Sequence, residues 1–454
     1  MAGTPVVASP QFGVGNQTDV FAIKNGQLTV SWVNGPGAWQ GPVGLGPAGI
    51  FPSRAALAAS PQYGVPNQTD VFAISNNGQL QVFWVNSGGA WHGPVGLGPV
   101  SAFPPGTALA ASNQFGVPNQ TDVFAINDNG QLNVFWVNGG GIWNGPVGLG
   151  PVRAFPAGAA LATSPQYGVP NQTDVFAVGN NGQLQVFWVE GGGAWRGPAG
   201  LGPVNAFPPG AAVTASPQYG VPNQTDVFAV GNNGQLQVFW VDGGGAWRGP
   251  AGLGPVNAFP PGASVAASNQ FGVPNQTDVF VIGDNGQLNV FWVNGGGNWN
   301  GPVGLGPVRN FPPGAALAAS NQFGVPNQTD VFAVGTDDLL NIFWVNGGGA
   351  WQGPVERPLV LGPPPRISLR ALQDAQGRFV EVDGISFTSN KRVHLDYDLF
   401  SGGAPDTHET GGQDTTADNG GGFASRIRVN LSSIAGATVK ATDTISGQSA
   451  TGSL

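Results

Sequence analysis

Fourteen tryptophans fall into two interleaved series of seven. One stands at 32, 84, 136, 188, 240, 292 and 344, and the other follows seven residues behind each. Neighbours within a series are 52 residues apart. The phrase Asn-Gln-Thr-Asp-Val-Phe repeats in step, with its aspartate at 19, 70, 122, 174, 226, 278 and 330. The first interval is one residue short, because Lys24-Asn25-Gly26 stands where copy two has Ser75-Asn76-Asn77-Gly78. A period of this length repeated seven times marks a repeat architecture, in which each unit buries its faces only against its neighbours.

Copy two shows what one unit forms. Ala56–Ser60 is a short apolar segment of small residues. Thr69–Ile74 is β-branched and aromatic and reads as a strand. Asn77-Gly78 is a strong hairpin signal, because both turn residues tolerate positive φ. Leu80–Val85 returns, with Leu80, Val82 and Trp84 alternating against Gln81, Phe83 and Val85. Both faces are largely apolar, as in a sheet packed on both sides. After Ser87-Gly88-Gly89, a fourth and weaker strand begins at Ala90-Trp91-His92-Gly93. Four short antiparallel strands repeated seven times predict an all-β fold, a seven-bladed β-propeller over residues 1–354. Residues 355–365, ending Pro363-Pro364-Pro365, read as a stiff linker. Residues 366–454 carry no tryptophan. Their alternating segments Arg366–Leu369, Phe379–Val382, Val393–Tyr397 and Ala437–Thr442 predict an immunoglobulin-like β-sandwich with a Gly/Asp/Thr-rich loop over 401–422.

Composition narrows function. Only 9% of residues are charged and the net charge is −9, with no Lys/Arg cluster, so nucleic acid is not an expected partner. Cysteine is absent, which removes disulfides, thiolate metal sites and thiol nucleophiles. No apolar run is long enough to span a membrane. No signal peptide is visible, although a secreted or cell-surface location is favoured. A homo-oligomer is compatible with the repeat. The three histidines (His92, His394, His408) are scattered, and the Asp19 series has no second acid at fixed spacing, so catalytic residues are assigned to none. That series is expected to accept backbone amides at a strand start. Hairpins such as Asp128-Asn129-Gly130 lack the alternate carboxylates and terminal Glu of a calcium loop. No metal and no cofactor is expected.

Two kinds of position look like binding residues. Trp39, Trp91, Trp143, Trp195, Trp247, Trp299 and Trp351 follow a glycine-rich loop. Each precedes a varying residue: Gln40, His92, Asn144, Arg196, Arg248, Asn300 or Gln352. An aromatic platform beside a hydrogen-bonding group suits a sugar, whose C–H groups lie on the ring while its hydroxyls take the polar partner. Packing accounts for these tryptophans equally well. Asn34, Asn86, Asn138, Glu190, Asp242, Asn294 and Asn346 open the same loop, as sugar contacts or as turn residues satisfying their own backbone. The Trp84 series, mid-strand between Phe and Val, reads as core between blades.

The copies resemble the seven-bladed propeller lectins of the Photorhabdus type. In copy four the likeness rests on Ala160-Leu161-Ala162, Asp174–Gly179, Leu184, Trp188, Trp195 and Leu201-Gly202-Pro203. In copy seven it rests on Val334-Gly335-Thr336-Asp337. The resemblance implies sugar sites between neighbouring blades, with fucose and O-methylated sugars as ligands. The chain departs from the family pattern at Val82, where that pattern has a polar residue or His. It departs again at Gly93-Pro94, where the pattern has a further Trp. Read together, these features predict a multivalent carbohydrate-binding protein with glycans as partners. The alternative is a non-catalytic scaffold or protein-interaction module, since fold alone does not fix function.

Overall fold

The computed structural model describes residues 5–53, 55–359, 365–402 and 407–454. The chain divides into two compact units, Met1–Val355 and Glu356–Leu454. Among the described residues there is no helix, and none is long and apolar enough to cross a membrane.

The first unit holds seven four-stranded antiparallel sheets, each with its strands in sequence order. In copy two the strands are Leu57–Pro61, Gln68–Ile74, Leu80–Asn86 and His92–Leu97. The fourth starts one residue after Trp91, so that ring sits on the loop. The second and third strands pair in register through the Asn77-Gly78 turn, from Ile74 opposite Leu80 to Gln68 opposite Asn86. Third and fourth strands pair with a register shift between Val82 and Trp84. The cis Gly93–Pro94 peptide lies beside it, and the equivalent bond is cis in every copy.

The first strands touch one another in succession, and the first strand of copy one touches that of copy seven. The seven sheets therefore close into a ring around these strands. Each sheet packs face to face on the next. Between copies two and three, Phe72, Ile74, Leu80 and Val82 meet Val123, Ala125 and Phe135, all buried. This is the alternation read in the sequence, with Leu80, Val82 and Trp84 turned to one neighbour and Phe83 to the other. Phe83 is 1% exposed and packs with copy one.

The AB loop, between first and second strands, ties each copy to the next. Phe12 N–H donates to Thr69 Oγ1 at 2.8 Å, and Gln62 Nε2 donates to the Gly139 carbonyl at 2.7 Å. Gly64 sits at φ +82°, and a Cβ there would lie 2.4 Å from the Cβ of Asn119 in the next copy. Glycine is required there twice over, by conformation and by contact. The crossover to the following copy is anchored at the other end of the sheet, where Phe103 N–H donates to the Gly78 carbonyl at 3.1 Å.

The second unit contains two sheets. Arg366–Asp374, Gly377–Ile385 and Phe423–Val429 form one. His408–Thr416, Arg392–Phe400, Gly436–Asp443 and Ser449–Ser453 form the other in that order. Val380, Val382, Val393, Leu395, Ile427 and Val439 are buried between them. Two expectations are corrected. The 401–422 segment, read as a loop, contains the strand His408–Thr416, paired along its length with Arg392–Phe400. It is an edge strand held by backbone ladder bonds, so its polar, glycine-rich sequence needs no buried face. The expected linker begins late: Val355 to Pro358 belong to the strand Gln352–Pro358. Within the rest of it, 360–364 lie outside the described residues, as do 403–406 of the expected loop.

Candidate functional site at the sheet junctions

At the end of the sheets where the AB loop meets the CD loop, between third and fourth strands, neighbouring copies leave a cavity between them. Between copies one and two it measures about 260 Å³, and its walls include Gln11, Gln17, Asp19, Trp32, Gly88 and Trp91. Its counterpart between copies four and five measures about 380 Å³ and is lined by Gln166, Gln172, Trp188, Glu190, Gly244, Gly245 and Trp247, among others. Each cavity therefore has two indoles, one from the third strand of one copy and one from the CD loop of the next.

The loop tryptophans are positioned identically around the ring. Trp91 meets Phe21 of the preceding copy edge-to-face, with centroids 5.4 Å apart at 77°. The same contact recurs for Trp143, Trp195, Trp247, Trp299 and Trp351, and for Trp39 against Phe332 across the closure. All seven are half-buried. One edge rests on the neighbouring core while part of the ring stays exposed, so packing does not use up the whole ring. The third-strand tryptophans pack against the core between copies, as expected for Trp32, Trp84, Trp136, Trp188, Trp240 and Trp292. They are only half-buried, and Trp32 and Trp188 also wall the cavities. An apolar flank on both sides hides this in the sequence. The register marks the place, because Trp84 stands across the bulge from Val82, opposite His92 at the start of the fourth strand.

The varying residues after the loop tryptophan are exposed and pair across the sheet with the third-strand indole, as His92 does with Trp84. His92 stacks on that ring at 5.4 Å and 20°. Gln40, Asn144, Arg196, Arg248, Asn300 and Gln352 take the same register position or the same place in the strand. They are not among the wall residues of the two cavities above. The residues opening the CD loop, Asn86, Asn138, Glu190, Asp242 and Asn294, are also exposed. Glu190 lines the cavity between copies four and five and pairs with Arg196 at 3.7 Å, as Asp242 pairs with Arg248 at 3.4 Å. The carbonyls of this series close the loop, with Gly89 N–H donating to Asn86 O at 3.1 Å.

The sequence reading missed the glutamines and misjudged the aspartates. Among the described residues, Asp19 accepts no backbone amide. Its Oδ1 takes Gln17 Nε2 at 2.7 Å, and Gln17 Nε2 also donates to Gln11 Oε1 at 2.7 Å. Gln11 Nε2 in turn donates to the Ser87 carbonyl of the next copy. This chain occurs in all seven copies, as at Gln68, Gln62 and Asp70. The second carboxyl oxygen of every aspartate in the series is buried without a partner. Burial pushes each of these carboxyls up to about 7, against the lowering effect of the glutamine bond. The signal was present in the sequence as the invariant spacing of Gln11, Gln17 and Asp19, but spacing alone does not show which atoms meet.

No family model matches the chain, and no curated protein sequence does. Among solved structures, the BP39L lectin from Burkholderia pseudomallei is 58% identical over 78% of this chain and 99% of its own, with a TM-score of 0.77. AofleA from Arthrobotrys oligospora (16% identity, 66% of this chain and 84% of its own, TM-score 0.48) and a fucose-specific lectin from Aleuria aurantia (18%, 68% and 97%, 0.46) are more distant. Lectins bind carbohydrate without transforming it, so the chain is no enzyme. With 58% identity over 78% of its length and nearly the whole length of BP39L, this chain belongs to the β-propeller lectin family of that protein.

Proposed function

We propose that the protein is a multivalent lectin, a seven-bladed propeller of the Photorhabdus type with equivalent sugar sites at its blade junctions. Fucose and O-methylated glycans are the ligand class. In this reading residues 1–354 form the propeller, and residues from 366 onward form a separate immunoglobulin-like sandwich. The observation that carries it is the junction cavity, where two indoles from different copies face a wall of amide and carboxyl groups. Such a cavity suits a small ligand with one apolar face and several hydroxyls, which describes a deoxy sugar or a methyl ether. Trp39, Trp91, Trp143, Trp195, Trp247, Trp299 and Trp351 supply the outer platform. The residue after each tryptophan grades the rim, charged at Arg196 and Arg248 and neutral at Asn144 and Asn300.

A glycan array probed with the full chain tests this reading. Retention on fucosylated or O-methylated glycans, and its competition by free methyl α-L-fucoside, is the expected result. Folded protein that retains no glycan would favour the scaffold reading instead.

A further inference from the structure

The polarity of the glutamine chain fixes what each junction cavity offers a ligand. A backbone carbonyl can only accept, so the side-chain amide that meets it must present nitrogen. Gln11 therefore turns Nε2 to the Ser87 carbonyl and leaves Oε1 facing Gln17. That oxygen needs a donor, so Gln17 must present nitrogen in its turn. The two N–H groups of Gln17 go to Gln11 Oε1 and Asp19 Oδ1, which uses both. Only Oε1 is left. It takes no partner among the described residues, and unlike Asp19 Oδ2 it is not among the sealed atoms. Gln17 forms part of the cavity wall between copies one and two, and Gln172 does so between copies four and five. The same two bonds orient Gln68, Gln120, Gln172, Gln224, Gln276 and Gln328.

We infer that the amide oxygen of this glutamine is the fixed acceptor of each junction site, and that it selects a sugar with a free hydroxyl donor beside the indoles. The inference rests on the lectin reading and deepens it. The amide cannot rotate to offer N–H without breaking two buried bonds and setting two acceptors against each other. The site therefore discriminates by hydrogen-bond direction. A hydroxyl can donate to Oε1, whereas a methyl ether at the same carbon cannot. Methyl groups are tolerated where the sugar faces an indole and refused at the one position that meets glutamine. A site built for a hydroxyl rejects the analogue that cannot donate more sharply than an apolar wall rejects a change of size.

The test is calorimetry of the full chain with methyl α-L-fucoside and each of its mono-O-methyl ethers. Alongside it runs a variant carrying Gln→Met at 17, 68, 120, 172, 224, 276 and 328. In the unaltered chain, one ether is expected to lose about ten-fold or more in affinity, the scale of one hydrogen bond left unmade. The others should stay within about two-fold. In the Met variant that preference should vanish, so the parent sugar and its disfavoured ether bind alike. If the variant does not fold, the ether series on the unaltered chain decides by itself. Ethers that all bind as the parent does, or a preference that survives in folded Met variant, would overturn the inference and leave the lectin reading standing. Failure of the unaltered chain to bind the fucoside would overturn this inference and the fucoside part of the lectin reading with it.

Discussion

Seven aspartates, each 0% exposed, keep one carboxyl oxygen unpartnered, and burial raises each to about 7. An acid raised in this way keeps its proton in the fold at a pH where the open chain has lost it. From the ordinary carboxylate value of 3.8 to about 7, the folded chain binds more protons, and stability falls as pH rises through that window. Thermal melts should therefore give a higher Tm at pH 5 than at pH 8. Asp→Asn in all seven copies keeps an oxygen for Gln17 Nε2 and should flatten the difference. A Tm that climbs between pH 5 and 8 in the unaltered chain would contradict the assignment. At the same scale, Trp→Ala at 91, 143 and 195 should lower the number of bound sugars stepwise while far-UV circular dichroism is unchanged. A constant site count would remove this series from the site.

Between elements, each junction repeats one set of bonds. Thr69 is 0% exposed and accepts the Phe12 N–H at 2.8 Å. Thr69→Val keeps the shape but leaves that N–H without its acceptor, so chemical denaturation should show a loss of about 1–3 kcal/mol. A change within about 0.3 kcal/mol would mean that solvent takes over the bond. The strands of each copy were legible because turn chemistry and alternation agree, with Asn77-Gly78 between two β-branched runs. Three features were not. Trp84 lies among apolar residues on both faces, so no pattern separates a core ring from a cavity wall. Asp19 meets Gln17 on its own strand, but Gln17 is held by Gln11 of the AB loop, and that loop is tied to the next copy, so the chain of bonds is completed only where copies meet. His408–Thr416 has the composition of a loop and becomes a strand only because Arg392–Phe400 offers it an edge.

Across the whole ring, one junction differs. At six junctions a crossover phenylalanine packs against a third-strand phenylalanine of the next copy, as Phe51 does with Phe83 at 6.1 Å. Copy one has Ser31 at the second position, and the repeat breaks off after copy seven before a Phe-Pro crossover. The closure keeps the loop bonds, with Gln322 donating to the Gly35 carbonyl at 2.6 Å and Phe323 N–H to Thr18 at 2.8 Å. It adds the ion pair Lys24–Asp338 at 2.8 Å. A half-exposed ion pair does not replace buried aromatic area, so the ring should open there first. Hydrogen exchange should be fastest in copies one and seven, and uniform protection around the ring would contradict this. The Trp39–Phe332 contact survives at the closure, so that junction keeps the same ring packing as the other six. The central claim, several equivalent junction sites on one chain, is tested most directly by the stoichiometry of a calorimetric titration with free methyl α-L-fucoside. The account predicts several sugars per chain, each held weakly at around the millimolar level, and far tighter retention on a surface that clusters the same sugar. One sugar per chain, with equal affinity for free and clustered ligand, would contradict it.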